Sequence, residues 1–257
     1  MKDNMANLDS TQVFIAALNE ETGIKPTIDE FMNDLRISNI LVVDGCSIDR
    51  TVEIAKNMGA QIAFQDGKGK GNAIAKALQH LNPTTQYVIL TDADYTYPAK
   101  HVPEMIQVLQ DNPEVGMVCG NRFSKPTEPK AQRTSFYIGN KLLSAAHNLL
   151  NGITLKDPLT GLRVIRAELL RGWKIKSQGF DIEVELNHHV ERSGCKIVEI
   201  PIVYRKRLGE KKLKMRHGAT ILKRILAESI RFSKTKNFEN DTITVPSKIF
   251  ADENEVP

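Results

Sequence analysis

Apolar residues in the first half of the chain gather into short runs, separated by stretches of helical period. Val13-Phe14-Ile15-Ala16-Ala17-Leu18, Ile40-Leu41-Val42-Val43, Gln61-Ile62-Ala63-Phe64, Tyr87-Val88-Ile89-Leu90 and Val115-Gly116-Met117-Val118-Cys119 each read as a strand. Between them the pattern predicts a helix from Asn19 to about Leu35, which tolerates Pro26 only in its first turn. A second helix opens at Ser47-Ile48-Asp49, with Asp49 near the cap and Val52, Ile54, Ala55 and Met58 following, and Gly59 stops it. Two more run from Asn72 to Leu81 and from about Lys100 to Leu109. Strands that alternate with helices in this way predict an α/β fold, a mostly parallel Rossmann-like sheet with right-handed crossovers. No internal repeat is visible.

The second half changes character. Tyr137 to Leu150 reads as a helix rich in Leu and Ala, closed by Asn151-Gly152. A polar-punctuated loop from Leu155 to Arg163 returns into Val164-Ile165. Phe180 to Val190 reads as a helix, Lys196 to Tyr204 as a late strand, and Thr220 to Ser233 as a basic amphipathic helix. Residues 1–10 are expected to be an N-terminal extension, 11–233 one domain, and the polar, aperiodic 234–257 a disordered tail.

Composition narrows the class. At 257 residues, with 41% hydrophobic and 26% charged positions, the chain can bury one large α/β core. The net charge is only +4, but Lys196 to Lys236 holds thirteen Lys and Arg against three Glu, which invites anionic partners. Cys46, Cys119 and Cys195 are scattered without a C-x-x-C, so neither a zinc site nor a disulfide framework is supported, and a reducing cytoplasm fits. No signal peptide is read in the first ten residues, and no run of ~18 apolar residues is found.

The candidate chemistry sits where strands end. Asp92-Ala93-Asp94 leaves the Tyr87–Leu90 strand, and ligands of open α/β sheets bind outside the carboxyl ends of the strands. Hard carboxylate oxygens suit Mg²⁺ or Mn²⁺ bridged to substrate phosphates, so this D-x-D reads as a metal–diphosphate site; a turn is the plainer alternative. Glu20 and Asp44 also stand at strand ends, and acids converging from three strands repel unless a cation or donors offset them. Gly67-Lys68-Gly69-Lys70-Gly71 lacks the G-x-x-x-x-G-K-[ST] spacing, and no G-x-G-x-x-G follows the first strand, which argues against a P-loop NTPase or a dinucleotide-binding dehydrogenase. A helix start beside Lys68 and Lys70 can attract an anion, or be a flexible turn. Arg122, again past a strand end, can pair bidentately with a phosphate. The basic run Arg205 to His217 has no aromatic interleaving and no reader module, so nucleic acid is not an expected partner. His188 and His189 read as packing or surface, and His217 as the stronger candidate.

In order, Ala17-Leu18-Asn19-Glu20, Asp44-Gly45-Cys46-Ser47-Ile48-Asp49-Arg50-Thr51, Gly69-Lys70-Gly71, Asp92-Ala93-Asp94, Gly120-Asn121-Arg122-Phe123, Asp157-Pro158-Leu159-Thr160-Gly161-Leu162-Arg163 and Gly209-Glu210-Lys211-Lys212-Leu213 resemble inverting family 2 glycosyltransferases of the GT-A fold. Within that family the chain resembles dolichol-phosphate sugar synthases, especially archaeal ones of protein N-glycosylation. The resemblance implies that residues Ala16, Leu18 and Glu20, with Asp44, hold the nucleotide. It further implies that Asp92 and Asp94 carry Mg²⁺ or Mn²⁺, and that Arg122, Arg207 and Lys212 handle phosphates. Residues 11–123 would then form a nucleotide-sugar half and 124–233 an acceptor half. The chain departs from the family pattern at Ala16 (usually Pro), Leu18 (usually aromatic), Gly45-Cys46 (usually Asp-Gly) and Thr96 (often Gln after D-x-D). The membrane helices that some members carry are not found.

The expected reaction is an in-line displacement at the anomeric carbon of a nucleotide sugar, with UDP-N-acetylglucosamine, UDP-glucose and GDP-mannose as open donors. A polyprenyl or dolichyl phosphate acceptor is already anionic and needs no general base; a sugar hydroxyl acceptor needs one, and Asp157 is the first candidate. Ile221, Leu222, Ile225, Leu226 and Ile230, interleaved with Lys223, Arg224 and Arg231, fall at the spacing of an interfacial helix on anionic lipid. The alternative is that this stripe packs on the protein's own core. The expected location is peripheral, on the cytoplasmic face of a membrane.

Overall fold

The computed structural model describes residues 8–124, 135–151, 154–210, 212 and 216–236. A seven-stranded sheet forms the middle layer, in the order β3-β2-β1-β4-β6-β5-β7. The strands are β1 (Thr11–Ala17), β2 (Ile40–Asp44), β3 (Gln61–Phe64), β4 (Tyr87–Asp92), β5 (Val115–Asn121), β6 (Arg163–Arg166) and β7 (Lys196–Pro201). The helices are α1 (Ile24–Asp29, continued by a π turn over Glu30–Asp34), α2 (Thr51–Asn57), α3 (Lys70–Gln79) and α4 (Val102–Asp111, entered through a 3-10 turn at Ala99–His101), then α5 (Ser135–Asn151), α6 (Ala167–Leu170), α7 (Ile182–Arg192) and α8 (Arg216–Lys236). This is the architecture that the family resemblance implies.

Alternate residues of each strand feed opposite layers, as the period of two requires. Val13, Ile15, Val42 and Ile89 pack with Ile28, Phe31, Met105 and Ile106 of α1 and α4. Phe14, Leu41, Val43, Val88 and Leu90 pack with Ile74 of α3 and with Ile182 and Leu186 of α7. Residues buried on both faces explain why the strands read as near-continuous apolar runs.

β6 is the exception to parallel order: it pairs antiparallel with both β4 and β5. The Asp157–Leu162 loop lies at the carboxyl edge, where the Gly120 N–H donates to the Leu162 carbonyl at 3.0 Å. β6 therefore enters the sheet from that edge and must run back. Other differences concern boundaries. α1 begins at Ile24 rather than Asn19, because residues 19–23 are spent on the turn at the end of β1; Pro26 does fall in the first turn. α2 begins at Thr51, whose N–H donates to Asp49 Oδ1 at 3.0 Å. β7 stops at Pro201, short of Tyr204, and α8 is longer than expected at both ends, reaching Lys236. Residues 1–7 of the expected extension and 237–257 of the expected tail lie outside the described residues.

α8 divides its apolar stripe. Ile221 and Ile225 are buried against Val184, whereas Leu222, Leu226 and Ile230 are exposed at 40%, 46% and 62%. Arg224 is not a lipid-facing cation, because it pairs with Asp181 at 3.0 Å and lies 3.3 Å from Glu228.

Candidate active site

The carboxyl ends of β1, β2 and β4 open into a cleft of about 730 Å³. Its lining includes Ala16, Ala17, Leu18, Gly45, Gln65 and Lys68, the acids Asp92, Asp94 and Glu183 with Lys70, and Arg122, Phe123, Tyr204, Lys212 and His217. Asp92 is the last residue of β4, in register with Ala16 of β1. The chain then turns through Tyr95 at φ +65°, and Asp94 Oδ1 accepts the Thr96 N–H at 3.1 Å and its hydroxyl at 2.6 Å. The two acids thus face the cleft from a strand end and from the turn behind it.

Each acid has a cation. Lys70, the first residue of α3, reaches Asp92 at 2.6 Å and Glu183 at 2.8 Å. Arg207 reaches Asp94 at 2.7 Å and also pairs with Glu20. Glu20, Asp92, Asp94 and Glu183 outnumber Lys70, Arg207 and Lys212, whose charge also acts on Glu20, by one charge. The excess is felt: burial, with the neighbouring Asp94 charge adding to it, pushes the Glu20 carboxyl up to about 7 against the pull of Arg207. Asp94 is raised too, by burial and by Asp92, while Lys70 holds Asp92 below the usual carboxylate range despite its burial.

Arg122 is held by Asp157 with two side-chain bonds of 2.7 Å and a backbone N–H bond of 3.0 Å. Asp157 is fully buried, and its own N–H and that of Lys156 donate to Glu199 of β7 at 2.6 and 2.7 Å. The guanidinium lies 5.5 Å from the Tyr204 ring centre and 5.6 Å from that of Phe123. Gly161 presses against the acids: a Cβ there would sit 2.5 Å from Asp92 Oδ2, and its N–H donates to the Tyr97 hydroxyl at 2.7 Å.

Residues 12–173 match the profile of glycosyl transferase family 2. A dolichyl-phosphate hexose transferase of Haloferax volcanii is 34% identical, over 87% of this chain and 97% of that protein. The chain belongs to glycosyl transferase family 2. It is also 28% identical to a dolichol-phosphate mannosyltransferase of Pyrococcus furiosus, over 81% of this chain and 60% of that one. Among solved structures, glucosyl-3-phosphoglycerate synthase from Mycobacterium tuberculosis, in complex with Mn²⁺, UDP-glucose and phosphoglyceric acid, matches at a TM-score of 0.67 and 21% identity, covering 85% of this chain and 79% of that one. That likeness carries the GT-A fold.

With the family established, the expected site residues of this glycosyltransferase can be placed. Ala16, Leu18, Glu20, Lys70, Asp92, Asp94, Arg122, Arg207 and Lys212 all line the cleft. Asp44 does not: it is fully buried at the same edge and accepts the Ser47 N–H at 2.8 Å and the Ser47 hydroxyl. It shapes the β2–α2 loop, in which Cys46 takes φ +65° where the family pattern has glycine. The start of α3 is closed to an anion through its backbone, because Gly71 N–H and Asn72 N–H donate to the Gly179 and Gln178 carbonyls at 3.1 and 3.3 Å. Arg205, from the basic run, is spent on Glu30 at 2.5 and 2.9 Å and on the Tyr95 carbonyl. Lys211 and Lys214 lie outside the described residues.

The sequence did not single out Glu183, Tyr97, Tyr204 or Glu199. Glu183 reads as an ordinary acid in the first turn of a helix, favoured there by the helix dipole. Only the packing of α3 on the loop before α7 turns it toward Lys70. Among the described residues no three metal-ligating side chains converge on one point. Two carboxylates nevertheless suit Mg²⁺ or Mn²⁺, which complete their shell with phosphate oxygens and water. The buried Glu20 Oε2 without a hydrogen-bond partner and the surplus of negative charge fit such an ion.

Proposed function

We propose that this glycosyltransferase moves a sugar from a nucleotide sugar to a dolichyl or polyprenyl phosphate. The observation that carries this reading is the part of the cleft where Arg122 and His217 stand beside the rings of Phe123, Tyr204 and Phe180. A lipid phosphate offers an anion to the first group and an apolar chain to the second. The names of the relatives from Haloferax and Pyrococcus point the same way. In this reading residues 11–123 take the nucleotide sugar and 124–233 the acceptor.

The nucleoside lies along Ala16–Leu18, Gly45 and Gln65, and the diphosphate faces Asp92 and Asp94. Asp92 and Asp94 would hold Mg²⁺ or Mn²⁺, which would supply positive charge to the departing diphosphate. Arg207, gripped by Glu20 and Asp94, adds a preorganised guanidinium on that side. Arg122, fixed in direction by Asp157, orients the acceptor phosphate for in-line attack on the anomeric carbon. The attacking oxygen is already anionic, so no proton has to be removed. That suits Asp157, whose two oxygens are both engaged by Arg122 and which is thus a poor base.

The lipid chain would leave the cleft beside α5 and α8, which pack together and expose Leu142, Leu149, Leu222, Leu226 and Ile230. No helix among the described residues is long and apolar enough to cross a membrane. The reading therefore includes reversible, peripheral binding to anionic lipid on the cytoplasmic face. One observation favours a second reading, transfer to a saccharide hydroxyl. Glu20, at about 7, is in the range of a general base.

The test is a panel of labelled UDP-N-acetylglucosamine, UDP-glucose and GDP-mannose, incubated with polyprenyl phosphate and Mn²⁺ and extracted with organic solvent. Label in the organic phase identifies donor and acceptor together. Label that stays aqueous with every donor overturns the lipid reading and favours the hydroxyl acceptor.

A further inference from the structure

Glu183 plays no part in the mechanism above, yet it shares the ammonium of Lys70 with Asp92. The two contacts are 2.8 and 2.6 Å, and the side chains of Glu183 and Lys70 are only 8% and 10% exposed against 31% for Asp92. Backbone fixes the arrangement. The first turn of α3 is bonded to the 177–179 segment by Gly71 N–H and Asn72 N–H, and a Cβ at Gly71 would lie 2.1 Å from the Ser177 carbonyl oxygen. Glu185 holds the same segment from behind, accepting the Lys176 and Ser177 N–H groups at 2.8 and 2.6 Å. Lys70 and Glu183 thus begin two helices that are locked to each other.

We propose that Glu183 is a positioning residue that sets the charge of Asp92 by drawing Lys70 away from it. Two carboxylates and one ammonium leave this group with one negative charge, directed at the cleft through Asp92, its most exposed member. Without the Glu183 charge, Lys70 neutralises Asp92 completely. The proposal rests on the reading that Asp92 helps to hold a divalent cation, and it extends that reading to a residue with no contact to the ion.

Charge balance makes a signed forecast that a packing defect does not. Glu183→Gln takes the group from minus one to zero. Mn²⁺ binding, followed by the paramagnetic resonance of free Mn²⁺, weakens about tenfold or more, the scale of one unit charge acting within a few ångströms at intermediate dielectric. UDP binding in the presence of a chelator, followed by calorimetry, is undiminished or tighter. A lesion in packing lowers both. The double variant Lys70→Met/Glu183→Gln returns the group to minus one without a buried ion pair, and Mn²⁺ binding recovers to within about threefold of the parent. It also carries the test should the single variant fail to fold, with loss of Mn²⁺ binding in the double overturning the proposal. Asp92→Asn separates the two layers. If it binds Mn²⁺ as the parent does, the metal reading falls and the role of Glu183 with it. If it loses Mn²⁺ while Glu183→Gln keeps the parent affinity, the role of Glu183 falls alone.

Discussion

Replacing Asp157 by asparagine separates two roles that a carboxylate beside a cleft can have. The side chain is fully buried and holds Arg122 through two bonds of 2.7 Å. At the ~4 Å between charge centres that such a pair implies, the attraction is ~4 kcal/mol at an effective dielectric of about 20. Asparagine keeps one acceptor oxygen and loses the charge, leaving a guanidinium whose own side chain is only 13% exposed without its counter-ion. Breaking a buried pair from one side costs about 3–5 kcal/mol, and the retained oxygen puts the expected loss near 3 kcal/mol. In a chain of this size that lowers the unfolding temperature by roughly 6–12 °C. Turnover falls by ~10²-fold as Arg122 loses its direction. Adding Arg122→Met to Asp157→Asn removes the stranded charge and recovers about 2 kcal/mol of stability, but no activity. Calorimetric unfolding of the parent and the two variants, with transfer rates across pH, checks each step. An Asp157→Asn variant that melts with the parent while one ionisation vanishes from its rate profile refutes the reasoning and makes Asp157 the base.

Other outcomes follow from the same geometry. Glu20 stands at about 7 in the folded chain against 4.5 for the free group, so folded protein retains a proton that unfolded protein has released between those values. Stability of the unliganded chain therefore falls as pH rises from about 4.5 to 7, by on the order of 3 kcal/mol, and Glu20→Gln flattens that part of the melting profile; an unchanged slope counts against it. Asp94→Asn keeps the Thr96 turn through its remaining oxygen but loses divalent-dependent transfer, and parent-like turnover in this variant excludes Asp94 as a metal ligand. Arg207→Ala lowers turnover by ~10²-fold or more, whereas a change under twofold would mark Arg207 as a surface residue. Flotation with anionic liposomes shows binding at low salt that high salt reverses, since each basic residue contributes only ~1 kcal/mol, and Leu226→Glu abolishes it; absence of binding at low salt removes the membrane from the proposal.

The linear pattern determined a good deal by itself. Runs buried on both faces had to be central parallel strands, because only helices on both sides of a sheet cover them. Asp92 and Asp94 had to lie at a ligand-binding edge, because strand direction in a parallel sheet places all carboxyl ends together. The cationic character of the second half was equally legible from residue counts. What sequence could not decide was who neutralises whom. Arg205 and Arg207 are two residues apart in one basic run, yet one is a strut on Glu30 and the other faces Glu20 and Asp94. Their side chains leave the backbone in different directions, and their glutamate partners Glu30 and Glu20 lie 175 and 187 residues away in the chain. Ile221 and Leu222 are neighbours in a stripe, yet one packs on Val184 and the other meets solvent, because a helix turns by about 100° per residue and the position of α7 chooses the buried side. Glu183 shows the limit most clearly. Its type and its place in a helix's first turn are ordinary, and only the contact between the start of α3 and the loop before α7 makes it a partner of Lys70 and Asp92. Ion pairing depends on distances of a few ångströms between groups far apart in sequence, and those distances exist only after the sheet has set the helices against one another.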